Sequence, residues 1–117
     1  MMATAEQTVG AVLDATNKRY LVEHTEGTVE NGTWWCNRYS DGWVEQGGSA
    51  VGNVSSATVN LMIEMQDTDY YCNCTRVGKA DVSAWVPTVS DLQTTKFSAN
   101  PQGGTGYKWI AKGYAKS

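Results

Sequence analysis

The sequence predicts an all-β fold: an antiparallel β-sandwich of about 6–8 short strands, with a short N-terminal helical or stalk segment ahead of it. Three observations point there. From Tyr20 onward apolar side chains alternate with a period of two, instead of recurring every third or fourth residue. Gly-, Asn- and Asp-rich turn signals punctuate the chain about every ten residues. Residues 34–48 spell a tight hairpin, with Trp35 and Tyr39 on one strand, Ser40-Asp41-Gly42 as the turn and a return strand from Trp43. Asp-Gly suits such a turn because the chain must reach positive φ, which glycine adopts without a Cβ clash.

Length and charge narrow the class. A chain of 117 residues makes one domain, here residues 20–117, with residues 1–19 as the helical or stalk segment. Only 18% of residues are charged, against 41% hydrophobic. That low charge fits a short-turned β domain, or one that hides surface in an oligomer. The net charge is −3 and the nine Lys and Arg residues are scattered, so nucleic acid is a poor partner. No run approaches the ~18 apolar residues of a membrane span, so no membrane insertion is expected. The first basic residue, Lys18, follows the only early apolar run, which does not fit a signal peptide. Three cysteines, Cys36, Cys72 and Cys74, are an odd number without an export signal and read as free thiols. The three Asn-x-Ser/Thr sequons at Asn31, Asn53 and Asn73 then read as chance.

Val9, Val12, Leu13 and Thr16 share one helical face, which predicts an amphipathic helix over residues 5–17. It is too short to stand alone, and either packs on the domain or ends a longer coiled stalk. A first strand covers residues 20–24, with turns at Glu26-Gly27 and Glu30-Asn31-Gly32. After the hairpin, Gly47-Gly48-Ser49 and Gly52-Asn53 read as loop. Residues 57–65 form a strand with Val59, Leu61, Ile63 and Met65 on one face. Asp67-Thr68-Asp69 turns, residues 70–77 return, and residues 78–81 turn again. Strands over 82–86 and 92–97 follow, then a loop over 98–106. Residues 107–114 close the domain, with Trp109, Ala111 and Gly113 on one face. Several strands are bulky on both faces: Trp34 with Trp35, Leu61 with Met62, Trp109 with Ile110. A sandwich strand needs one apolar face, so the other is expected to meet a second subunit.

The run Trp35-Cys36-Asn37-Arg38-Tyr39-Ser40-Asp41-Gly42-Trp43-Val44-Glu45-Gln46-Gly47-Gly48 resembles the W-Y-R-K-Y-x-D-G-W-V-E-Q-G-G signature of bacteriophage tail-fibre C-terminal domains. Three further pieces follow the same family over residues 20–114. They are Tyr20-Leu21-Val22-Glu23 to Glu30-Asn31-Gly32, Val59-Asn60-Leu61 through Tyr70-Tyr71 to Thr75-Arg76, and Trp109-Ile110-Ala111-Lys112-Gly113-Tyr114, which is similar to W-I-A-I-G-Y. Cys36-Asn37 replaces an aromatic-basic pair, and Lys112 replaces Ile. The resemblance implies an H-type-lectin-like β-sandwich that forms a homotrimer at a fibre tip. Such a domain would sit in the virion, be made in the bacterial cytoplasm, and recognise a host bacterial surface polysaccharide or lipopolysaccharide. The shared residues Trp35, Tyr39, Asp41, Gly42, Trp43, Gln46, Gly47, Gly48, Trp109 and Gly113 belong on this view to the scaffold. Trp43→Ala is accordingly expected to cost ~3–5 kcal/mol, as for a core aromatic.

No catalytic residue, metal site or cofactor is expected. His24 is the only histidine and no serine lies in a G-x-S-x-G elbow. Asp67 and Asp69 are close enough to consider as a glycan-cleaving pair, but Asp-Thr-Asp also reads as a turn. Cys72-x-Cys74 lacks the second pair a zinc site needs; Cys36 with His24 would complete one only by coincidence. Three His24 rings could meet on a trimer axis if they faced inward. The Gly103-Gly104-Thr105-Gly106 run has no P-loop lysine. Sugar binding uses aromatic faces with Asn, Asp and Gln side chains. The candidates are Trp85, Asp67, Asp69, Tyr70, Asn100, Gln102 and Tyr107, in loops 49–56, 67–70, 85–91 and 98–106. Trp85, beside Val86-Pro87, suits a trimer interface slightly better than a sugar site, and packing is the default for Tyr70 and Tyr107. Two other classes of function stay open: a structural trimerisation module without its own ligand, and a polysaccharide-cleaving enzyme.

Overall fold

The computed structural model describes residues 19–78 and 86–117. They form β1 (Leu21–Val29), β2 (Gly32–Tyr39), β3 (Trp43–Val51), β4 (Ala57–Asn60), β5 (Tyr71–Val77), β6 (Thr88–Ser90), β7 (Lys96–Asn100) and β8 (Gly106–Tyr114). The larger sheet runs β1-β2-β3-β8-β5 and the smaller β4-β7-β6, with every pairing antiparallel. The all-β, two-sheet expectation therefore holds. The expected helix over 5–17 lies outside the described residues, as does most of the expected turn and strand over 78–86.

The central hairpin forms as its residues dictate. Gly42 sits at φ 91° and donates its N–H to Tyr39 O at 3.1 Å. Asp41 Oδ1 accepts the Trp43 N–H at 3.1 Å, the short side chain closing its own turn. Trp34 pairs with Gly48 and Trp35 with Gly47. Since successive residues point to opposite faces, Trp34 turns inward and Trp35 outward. The core between the sheets holds Val44, Val59, Ile63, Met65, Phe97 and Ala111. Phe97 meets Trp109 edge-on at 5.6 Å.

The alternation expected over 57–65 does bury Val59, Ile63 and Met65. The strand nonetheless stops at Asn60. Gln46, fully buried, takes the Met62 and Ile63 N–H groups on Oε1 and donates from Nε2 to Ile63 O. A side chain thus replaces the next strand of the ladder.

Three glycines assigned to turns or loops by pattern lie in mid-strand instead: Gly27 in β1, Gly47 and Gly48 in β3. Each sits under an indole. A Cβ on Gly27 would come 2.7 Å from the Trp34 ring, and on Gly47 2.8 Å from the Trp35 ring. On Gly48 it would strike Thr33 O and come 3.0 Å from Trp109 Nε1. The smaller sheet also differs from expectation. β7 starts at Lys96 and runs to Asn100, so the loop is 101–105. Residues 91–95 stay irregular because the Thr94 and Thr95 carbonyls accept the Met65 and Leu61 N–H groups, while Gln93 N–H turns back on Lys96 O. Strand β6, just after Pro87, has no counterpart in the sequence pattern.

The register separates two ends. At the entry end, Tyr20 O accepts the Ser40 N–H at 2.9 Å and the Arg19 guanidinium pairs with Asp41 at 3.0 Å. The far end gathers the 30–31 turn, the loops 52–56 and 101–105, and Gly78.

Candidate functional site

The far end is the candidate recognition surface. Its loops are tied to one another by backbone hydrogen bonds. Val51 N–H reaches Asn31 O at 2.8 Å, Gly52 N–H reaches Thr105 O at 2.9 Å, and Gly103 N–H reaches Val54 O at 2.8 Å. Asn31 and Gln102 both hold positive φ, at 62° and 63°. Asn31 tolerates this region through its own short side chain, whereas Gln102 holds it only because its surroundings fix it, a strain that recurs at ligand-binding loops.

Arg76 organises the 101–105 loop. Its Nη1 donates to Pro101 O at 3.2 Å and to Gln102 O at 3.3 Å. Gly104 lies so close to the Arg76 stem that a Cβ there would come 2.6 Å from Cγ. Asn100 fastens the smaller sheet. Its Nδ2 donates to Thr88 Oγ1 at 3.2 Å and Ser90 Oγ at 3.1 Å, while Oδ1 accepts from Ser56 Oγ. The surface built on these anchors exposes Asn53, Ser55, Ser56 and Thr105. The 52–56 and 101–105 loops offer neutral hydrogen bonding on a preset backbone, beside the exposed Glu30 carboxylate and the exposed Val51.

The sequence candidates do not converge on this end. Asn100 and Gln102 belong to it, Asn100 as an anchor and Gln102 half-buried. Asp67 and Asp69 follow Gln66, whose N–H binds Tyr114 O beside the entry end. There Asp67 Oδ1 accepts the Asp69 N–H at 2.9 Å, closing a turn. Tyr70 and Tyr107 are each only 7% exposed and pack into the core, Tyr107 at the edge of a groove that Trp34 also lines. The Tyr70 hydroxyl donates to Gln93 O at 2.7 Å, and burial pushes its pKa up to about 12. Trp85 lies outside the described residues. Arg76 escaped sequence reasoning although a signal was present: it shares an inward-facing register with Cys72 and Cys74, and an inward arginine needs partners.

The outer face of the larger sheet carries a second cluster. Tyr39 Oη and Trp43 Nε1 each donate to the Glu45 carboxylate at 3.2 Å. Trp35 and Ile110 are half-buried on this face and Tyr71 is 75% exposed. His24 shares it, with Nε2 2.9 Å from Glu26 Oε2 and Nδ1 on Asn37 Oδ1. Hydrogen bonds to Glu26 and Asn37 raise its pKa. Cys36 points to the opposite, buried face beside Thr25 Oγ1, so His24 and Cys36 share no site. Cys74 Sγ donates to Thr88 O at 3.3 Å. Burial, with Cys74 nearby, pushes the Cys72 thiol up to about 12; burial also raises Cys74. Among the described residues no three His, Cys, Asp or Glu side chains gather as metal ligands, and no helix is long and apolar enough to cross a membrane.

No protein-family profile and no curated protein matches the chain. Two solved structures do. One is a C-terminal fragment of the R2 pyocin fibre of P. aeruginosa and the other an N-truncated R2-type pyocin tail fibre. Each aligns over 96% of this chain at 19% identity with a TM-score of 0.52. The chain spans 30% of the first and 43% of the second, less than half of either. The likeness shows a shared fold.

Proposed function

We propose that this chain is the receptor-binding tip domain of a phage tail fibre, which trimerises and recognises a glycan on the host bacterial surface without cleaving it. The observation that carries this reading is the fold shared with two tail-fibre fragments over nearly the whole chain. The ordered signature from residue 20 to residue 114 supports it independently. The outer face supports assembly: Trp35, Ile110 and Tyr71 lie on the side away from the smaller sheet, where a second subunit would cover them. The far end supports recognition, since it offers preset polar loops tied together by backbone hydrogen bonds. The domain would then reside in the virion after synthesis in the bacterial cytoplasm.

Light scattering on the purified chain tests assembly, and a bacterial glycan array tests recognition. A trimer that binds host polysaccharide or lipopolysaccharide and releases no fragments from it is the expected result. A stable monomer near 12.7 kDa would count against the assembly. Array silence in a well-formed trimer would leave only the structural fibre module.

A further inference from the structure

The smaller sheet ends at β4, and the β1–β2 hairpin extends beyond it. Between them lies a groove of about 330 Å³, at the small end of the ligand-pocket range. Its wall is the indole of Trp34, held against the β1 backbone at Gly27. Thr58 and Asn60, both exposed on β4, lie along its other side, while Thr33 and Ser49 border it with their backbone, their hydroxyls meeting at 2.7 Å on the outer face. Among the described residues on the lining, Glu30 is the charged one.

We propose that this groove is a saccharide subsite for one uncharged or amine-bearing sugar ring, with Trp34 as its platform. The proposal rests on the glycan-binding reading and gives it a place and a chemistry. The apolar C–H face of a sugar packs on an aromatic ring, while its hydroxyls need neutral donors and acceptors around the rim. Trp34 supplies the first, and Thr58 and Asn60 on β4 with the Glu30 carboxylate supply the second. Glu30 favours a hydroxyl or ammonium donor and repels a carboxylate or phosphate. Among the described residues on the lining no cation offsets that repulsion, so acidic sugars are disfavoured.

The test uses the whole chain. N-acetylglucosamine, glucosamine and N-acetylneuraminic acid are titrated while amide shifts are followed by NMR, alongside the glycan array. The first two should shift amides in residues 29–34 and 58–62 saturably, and the acidic sugar should not. Thr58→Arg, at an exposed β4 position, should weaken binding about tenfold or more, and Glu30→Gln should remove any preference for the amine. Asn60→Ala repeats the test should Thr58→Arg fail to fold. Array binding that is unchanged in these variants, or that leaves the groove amides unshifted, overturns the subsite and leaves the receptor reading standing. Preference for the acidic sugar overturns it too. Groove amides that shift when the sugar-free chain is diluted would assign the groove to a second copy of the chain and overturn the subsite. An array silent for the native chain removes both readings together.

Discussion

Gln46 and Ile63 are joined by a two-way amide pair across the sandwich: Gln46 Nε2 donates to Ile63 O at 2.9 Å, and Oε1 accepts the Ile63 N–H at 3.0 Å. The same oxygen takes the Met62 N–H at 2.9 Å. Gln46→Leu keeps the approximate volume but leaves three backbone groups without this partner. Each buried orphan costs roughly 1–3 kcal/mol, so a total near 3 kcal/mol or more is expected. Urea unfolding should show a lower midpoint at unchanged slope. A variant of native midpoint would mean that water or a backbone shift satisfies those groups.

The glycines under the indoles should respond unequally to a methyl group. On Gly48 it strikes the Thr33 carbonyl and the buried Trp109, neither of which can swing aside. Gly48→Ala should therefore cost about 3 kcal/mol, the upper part of the overpacking range. On Gly27 the nearest atoms all belong to the ring of half-buried Trp34, which can move. Gly27→Ala should cost about 1 kcal/mol. Thermal melts of the two variants check the order, and equal losses would contradict it.

These glycines also explain which parts of the fold were legible. Alternation is a local property, so β5, β8 and the inward set Val59, Ile63 and Met65 could be read from pattern. The 40–42 turn and the 30–31 turn were equally legible, because their residues carry the φ preference themselves. Gly27, Gly47 and Gly48 misled because the same residue type serves a turn by its φ and a strand by its missing Cβ. Only the partner across the sheet tells the two apart, and strand register is not written locally. The break after Asn60 was hidden for a related reason, since Gln46 lies 16 residues before the amide of Met62 that it captures. At the candidate site, Asn100 and Gln102 were found by residue type. That Asp67 and Asp69 sit toward the other end depends on topology.

Trp43 proves less buried than its place in the signature suggested. It is half-exposed, meeting Tyr114 edge-on at 5.3 Å, with the Arg19 guanidinium 4.4 Å from its ring centroid. Its loss removes an aromatic pair, a partly exposed cation–π contact and a hydrogen bond to Glu45. The expected cost of Trp43→Ala falls to about 1–3 kcal/mol, below the core value. Arg19→Ala should capture part of it, and a double-mutant cycle should show coupling of about 0.5–1 kcal/mol. Additive losses would remove the cation–π contact from the account.

Asp41 should give the chain an acid-sensitive step. Partial desolvation pushes its pKa up. The Trp43 N–H, the Arg19 hydrogen bond and the Arg19 charge together outweigh that and hold it below the ordinary carboxylate value. A carboxylate depressed in the folded state stabilises above its unfolded pKa of about 3.9, and that contribution is lost as pH falls through the lower folded value. His24 works in the opposite sense. Its raised pKa stabilises fully below about 6.5, and that contribution is lost as pH rises through the folded value. The two effects therefore occupy different pH windows. In urea titrations, native minus Asp41→Asn stability should be flat from about pH 5 upward and should narrow below about pH 4. His24→Asn should show its difference closing instead between neutral and mildly alkaline pH. An Asp41→Asn difference that stayed constant down to pH 2 would mean that the Arg19 pair contributes nothing specific to the ionised form.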